Sequence, residues 1–240
     1  MNLILCPLQC QSPIDSVLHV KEIEFAYPHS TYRLRIEHFV CKAGQATAIV
    51  GPSGCGKTTF LNLAAGILRP TRGSVRVGDI EISSLGKTAS ATFRLAHIGL
   101  IFQEFELVEH LAVGDNILLP LHLGLRSKRS TIESEAKRIA EQTGIDGYWK
   151  MLPDRLSHGE RQRVAICRAL STSPRLVLAD EPTGNLDPTN KRKVLDLMIA
   201  CARERGQALV VATHDVELLK SFDEVVQFEE LNQFREAPVS

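Results

Sequence analysis

The spacing of apolar and polar residues changes several times along the chain. From Val17 to Val40 the two alternate, in VLHVKEIEF and YRLRIEHFV, which predicts half-buried strands of a small antiparallel sheet. ATAIV, ending at Val50, is instead continuously apolar or β-branched, the pattern of a strand covered on both faces. GKTTFLNLAAGIL then predicts a helix stopped near Pro70, SVRVGDIEI an edge hairpin, and HIGLIF (97–102) a strand ending at Gln103. From about 105 to 160 the pattern becomes helical. TIESEAKRIAEQTG places Ile132, Ala136, Ile139 and Ala140 on one face, and Gly144 closes that helix. Alternation then resumes: helix 158–171, strand RLVLA, helix 189–205, strand ALVVAT, helix VELLKSF and strand EVVQF. Strands alternating with helices imply a parallel sheet covered on both sides. The fold class is therefore α/β, with an antiparallel β subdomain and an α-helical subdomain inserted at about 105–160. Residues 1–15 lack periodicity and are expected to be a loose leader, 16–235 a single domain and 236–240 a tail.

GPSGCGKTT (51–59) lies between the buried strand ATAIV and the helix FLNLAAGIL. Strand, glycine-rich turn and helix are the setting that the phosphate-binding pattern G-x-x-x-x-G-K-[ST] requires. Gly51, Gly54 and Gly56 let the backbone curl so that the N–H groups of the loop, which runs from Gly51 through Pro52 (itself without an N–H), Ser53 and Cys55 to Thr59, surround phosphate oxygens, and the helix start adds partial positive charge. Lys57 supplies a point charge for the β- and γ-phosphates, and Thr58 offers a hydroxyl to Mg²⁺. Cys55 can be a reactive thiol or simply a small residue fitted into the loop.

Other motifs bear on the same chemistry. RLVLADE (175–181) is an apolar strand ending in two carboxylates; Asp180 is placed to serve a metal and Glu181 to orient or deprotonate water. LSHGE (156–160) opens a long helix, with Ser157 and Glu160 at capping-box spacing, and its N–H groups form a second phosphate-binding end. One chain already has such an end in its glycine-rich loop, so the second fits a nucleotide held by another copy. Gln103 can reach metal or water, His214 in THD can hydrogen-bond a γ-phosphate, and Asp187 in NLD lies near Glu181 in sequence. Tyr27 is a candidate to stack on adenine, or a packed sheet aromatic, and Tyr32 competes for the same role.

Composition narrows the function classes. The chain has 240 residues, is 44% apolar and carries zero formal net charge, which disfavours nucleic acid as a partner. No apolar stretch approaches the roughly 18 residues of a membrane span, so work at a membrane would need another chain to cross it. Six cysteines without metal-type spacing suit a reducing compartment.

Together, GPSGCGKTT, Gln103, LSHGE, LVLADE, NLD and THD resemble, in order and approximate spacing, an ATP-binding cassette (ABC) ATPase from about Val17 to Phe228. FQEFELVEHLAVGDNILLPL and LADEPTGNLDP are similar to the lipoprotein-release and macrolide-efflux branch. The resemblance implies a P-loop NTPase with a RecA-like core that binds ATP and Mg²⁺. Tyr27 would be the adenine-stacking aromatic. Lys57, Gln103, Glu181 and His214 would be the catalytic groups, and Thr58, Gln103 and Asp180 the metal-binding ones. Ser157, Gly159 and Asp187 would act across a homodimer. It further implies an integral-membrane permease partner, a place on the cytoplasmic face of the inner membrane, and export or extraction of a lipid-linked or hydrophobic substrate. The alternative is a nucleotide-switched scaffold of the cell-division type. Two departures stand out: His158 replaces a signature glycine and Glu160 the usual glutamine. A left-handed backbone at 158 would be costlier for His than for Gly. The apolar run from Glu104 to Leu125 either docks the permease or forms the core of the helical block.

Overall fold

The computed structural model describes residues 16–125, 128–184, 186 and 188–234. The expected leader and tail lie outside the described residues, as does Asp187.

Among the described residues, nine strands form two sheets. β1 (Ser16–Ala26), β2 (Arg33–Lys42), β4 (Arg72–Val77) and β5 (Ile80–Glu81) make an antiparallel sheet in the order β2-β1-β4-β5. β3 (Ala46–Val50), β6 (Ile98–Ile101), β7 (Leu176–Asp180), β8 (Ala208–Thr213) and β9 (Glu224–Gln227) make a parallel sheet in the order β6-β7-β8-β3-β9. β3 is buried at all five positions, as its unbroken apolar run requires. The two-residue period of a strand divides the core in two. Val177, Ala179, Leu209 and Val211 face one side and pack with the helical segment. Leu176, Leu178, Val210 and Ala212 face the other and pack with the antiparallel sheet.

Helix α1 (Lys57–Ala64) joins that second core through Phe60, Leu61 and Leu63. It ends earlier than the distance to Pro70 suggests. Gly66, at φ 64°, turns left-handed; its N–H donates to Leu63 O and the Ile67 N–H to Asn62 O, the paired bonds that seal a helix end. Helix α2 (Lys87–His97) is absent from the sequence expectations. Its Ser/Thr-rich composition is a weak helix signal, and only Ser90 is fully buried, so the apolar stripe that marks most helices is thin. Conversely, the expected helix at VELLKSF is a 3₁₀ turn, Val216–Ser221, capped by Asp215 through the Glu217 N–H. With Leu218 as its one buried residue, it lacks the face that would extend it into an α-helix.

The helical insertion is present. α3 (Val113–Ile117), α4 (Leu119–His122), α5 (Arg129–Thr143) and α6 (His158–Leu170) pack beside one face of the parallel sheet; α5 buries Ile132, Ala136, Ile139 and Ala140, as its pattern predicts. α7 (Pro188–Glu204) completes that layer, and the short α8 (Phe228–Leu231) follows β9. Leading into the insertion, the loop after Gln103 is clamped by Asn116. This side chain is 0% exposed; its Oδ1 accepts from Val108 N (2.7 Å), and its Nδ2 donates to the carbonyls of Val108, Leu111 and Ala112. Asn116→Ala should therefore cost about 1–3 kcal/mol by leaving part-buried backbone groups of the loop without their partner. Denaturant titration checks this, and parental stability would dismiss the clamp.

The candidate nucleotide site

All parallel strands end at one edge, and the order β7-β8-β3 controls what meets there. β3 delivers the glycine-rich loop and β7 delivers Asp180 and Glu181. β8 lies between them and delivers His214, while β6 brings Gln103 up beside β7. Ligands commonly bind in crevices at such carboxyl edges.

The edge holds a cleft of about 400 Å³. Ser53, Gly54, Gly56, Lys57, Thr58 and Thr59 line it from the loop and α1. Gln103, Asp180 and Glu181 line it from the strand ends, and Tyr27 and Tyr32 from the antiparallel sheet. Gly56, at φ 116°, turns the chain into α1 in a conformation that side chains resist. Lys57 is 5% exposed, and its Nζ donates to the carbonyls of Gly51 (2.8 Å) and Pro52 (2.9 Å). Cys55 packs behind the loop against Gly51 and is half-buried, away from the cleft lining.

Thr58 Oγ1 donates to Asp180 Oδ2 at 2.6 Å, joining two of the three groups that sequence reasoning assigned to a metal. Burial raises the Asp180 pKa, Glu181 next to it adds to the rise, and Thr58 and Lys57 oppose it. A carboxylate that is hard to ionise unaided, next to a second carboxylate and a hydroxyl, is an oxygen donor set suited to a hard divalent cation such as Mg²⁺.

Glu181 sits at φ 44°, an uncommon conformation for a residue with a side chain. Its N–H donates to Ala212 O (2.9 Å) on β8, and its carbonyl accepts from Gly184 N (3.1 Å). Held this way, its carboxylate reaches His214, with Oε1 2.9 Å from Nδ1. An ionised carboxylate only accepts, so Nδ1 is the protonated nitrogen of that contact. His214 remains 55% exposed while Glu181 is 15% exposed.

Tyr27 Oη lies 3.2 Å from Thr59 Oγ1, and its ring meets Phe25 edge-on at 4.8 Å. That contact leaves the ring partly exposed at the cleft. Tyr32 stands beside it, with ring centroids 6.1 Å apart. Sequence reading left these two as competitors; the fold places both at the cleft.

Ser157 and Gly159 do not line this cleft. They stand at the start of α6, Ser157 exposed and Gly159 half-buried, where the capping box is complete: Ser157 Oγ accepts from Glu160 N, and Glu160 Oε2 accepts from Ser157 N at 2.7 Å. Glu160 therefore has a structural use, and the Ser157 hydrogen bonds hold its carboxyl below the usual range. His158 is the first residue of α6 and is not among the residues of positive φ, so the feared left-handed strain does not arise. Its ring instead meets Phe105 edge-on at 5.6 Å.

Sequence reasoning missed the connection behind that contact. Phe105 and Glu106 are both left-handed, at φ 63° and 47°. Arg168 of α6 holds both carbonyls, Nη2 to Phe105 O (2.6 Å) and Nη1 to Glu106 O (2.5 Å). No local motif announces a bond spanning some sixty residues.

Comparison with known proteins identifies the family. A family model described as ABC transporter matches residues 34–184. The chain is 40% identical over 219 residues to the lipoprotein-releasing system ATP-binding protein LolD of Hydrogenovibrio crunogenus, covering 90% of this chain and 95% of that one. It is 42% identical over 191 residues to the macrolide export ATP-binding/permease protein MacB of Rhodopirellula baltica, covering 79% of this chain but only 28% of that longer protein. A solved structure of the ATP-binding cassette MJ0796, in a dimeric post-hydrolysis state bound to ADP and Pi, superposes with a TM-score of 0.78 at 28% identity, covering 93% of this chain and 99% of that one. The chain belongs to the ABC transporter family, as an ATP-binding, ATP-hydrolysing cassette of the branch that includes the lipoprotein-release and macrolide-efflux ATPases.

Proposed function

We propose that this cassette powers a separate integral-membrane permease that exports or extracts a lipid-linked or hydrophobic substrate, working on the cytoplasmic face of the inner membrane. The observation that carries this reading is the similarity to LolD along nearly the whole of both chains. Among the described residues no helix is long and apolar enough to cross a membrane, so the pathway would belong to the permease.

Two copies would close on two ATP molecules. The Ser157–Gly159 tip, with Ser157 exposed, lies outside its own chain's cleft, which suits service to a nucleotide held by a second copy. The dimeric MJ0796 cassette supports that arrangement. Asp187 would act across the same interface. Within each site Tyr27 would stack on adenine, Lys57 would turn from the loop carbonyls to the β- and γ-phosphates, and the loop amides would surround them. Thr58 and Asp180, with Gln103, would hold Mg²⁺, which neutralises phosphate charge when bound. Glu181 would orient water for in-line attack on the γ-phosphorus and take its proton as the bond to ADP breaks. His214 would hydrogen-bond the γ-phosphate.

The run from Glu104 to Leu125 divides between its two readings. Ile117 and Leu118 are buried in the core. Leu119, Pro120 and Leu123 instead line an apolar groove of about 270 Å³ with Leu95, Leu100 and Phe102, and Leu123 is 60% exposed. Such a groove suits an apolar permease segment. In vesicles containing cassette and permease, ATP-dependent substrate movement is the expected result. Leu123→Asp should stop it while the isolated cassette still hydrolyses ATP. Hydrolysis without any substrate movement by the unmutated pair would favour the signalling scaffold instead.

A further inference from the structure

We propose that Lys191 is a positioning residue for hydrolysis, which acts through Asp215 to hold the His214 turn where the imidazole meets the γ-phosphate. The inference rests on the γ-phosphate role given to His214 above, and it adds a residue that none of the sequence motifs contains.

His214 needs such help. Its side chain is 55% exposed, and the contact with Glu181 Oε1 restrains one ring nitrogen but not the backbone that carries the ring. That backbone is held one residue further on. The Asp215 N–H donates to Thr213 Oγ1 (3.0 Å), and Asp215 Oδ1 accepts from the Glu217 N–H (3.2 Å). These two bonds join residues within the turn and fix its shape. Its direction is fixed by a third: Asp215 Oδ2 accepts from Lys191 Nζ (2.9 Å), which reaches across from the first turn of α7. Neighbouring residues at the end of β8 are thus gripped by Glu181 and Lys191, which stand at the two ends of the segment joining β7 to α7. One grip leaves a hinge, whereas two set an orientation. At 24% and 17% side-chain exposure, Lys191 and Asp215 are screened less than a surface ion pair. Lys191 above all, against the effect of burial, holds the Asp215 carboxyl below its usual range, so the pair stays charged at neutral pH. Neither residue lines the cleft, so their influence on turnover passes through the turn. A shift of about 1 Å in a group that meets the reacting atoms is enough to slow the chemistry.

Lys191→Met removes the charge and keeps most of the side chain. Steady-state hydrolysis by the full chain should show kcat about three- to tenfold below the parent, with KM for MgATP within about twofold. Lys191→Arg should restore the parental kcat. In a His214→Ala background, Lys191→Met should slow turnover no further, because a residue that acts by placing the imidazole then has nothing left to place. Asp215→Asn breaks the same ion pair, while its side-chain oxygen can still accept from the Glu217 N–H. It should repeat the fall in kcat, and it carries the test if Lys191→Met does not fold. Parental kcat in the ion-pair variants would overturn the proposal, as would a loss that falls on KM instead. An undiminished further loss in the His214→Ala background would also overturn it, giving the pair a structural role apart from His214. Parental turnover by His214→Ala alone would instead remove the γ-phosphate role on which the proposal depends.

Discussion

Glu181→Gln is expected to bind MgATP as tightly as the parent and to turn it over about 10²- to 10⁴-fold more slowly, the range that loss of a positioned general base produces. The structure makes this substitution a clean one. Gln is isosteric, and the bonds that hold residue 181 in its left-handed conformation come from its own N–H and carbonyl, which the change leaves alone. Its amide oxygen can still accept from His214 Nδ1. What disappears is the capacity to take a proton. With hydrolysis blocked and ATP retained, the variant should accumulate as a closed pair of copies, visible as a shift to dimer in size-exclusion chromatography with MgATP. Turnover close to the parental rate would take Glu181 out of the chemistry. Slow turnover from a species that stays monomeric would oppose the shared site.

Lys57→Ala should weaken MgATP and MgADP binding by about 10- to 100-fold, since a charge-assisted hydrogen bond to phosphate is worth about 1.5–3 kcal/mol. Lys57 has a second use in the ligand-free protein: its ammonium ties the carbonyls of Gly51 and Pro52 together within the curl. The variant should therefore also lose loop order, which slower amide exchange on adding nucleotide would no longer fully restore. Titration with both nucleotides separates the two uses. Loss of binding for ATP and ADP alike is the expected result; parental affinity for either would mean that the lysine serves the loop alone.

Most of the strand framework was legible, and for a physical reason. Strands buried on both faces can only be continuous apolar runs, so ATAIV, RLVLA and ALVVAT stood out. The glycine-rich loop was legible because its chemistry is carried by backbone, and backbone freedom leaves a glycine signature. Helix α2 was not, because its Ser/Thr-rich sequence states neither propensity nor stripe clearly. At the cleft, the pairing of Thr58 with Asp180 could be guessed from their separate roles. The left-handed backbone at Glu181 could not, since it depends on how distant strands meet. The left-handed backbone that would have penalised His158 does not occur, because His158 already lies in the first turn of α6.

The guanidinium of Arg168 bears on how motion passes through the molecule. One planar group grips two successive carbonyls just beyond Gln103, and its own stem is anchored in α6, the helix that Ser157 caps. That turn cannot unwind without giving up both charge-assisted hydrogen bonds. In the proposed pair of copies, a displacement at Gln103 would therefore be carried through Arg168 into α6 and on to the end that each copy would offer its neighbour.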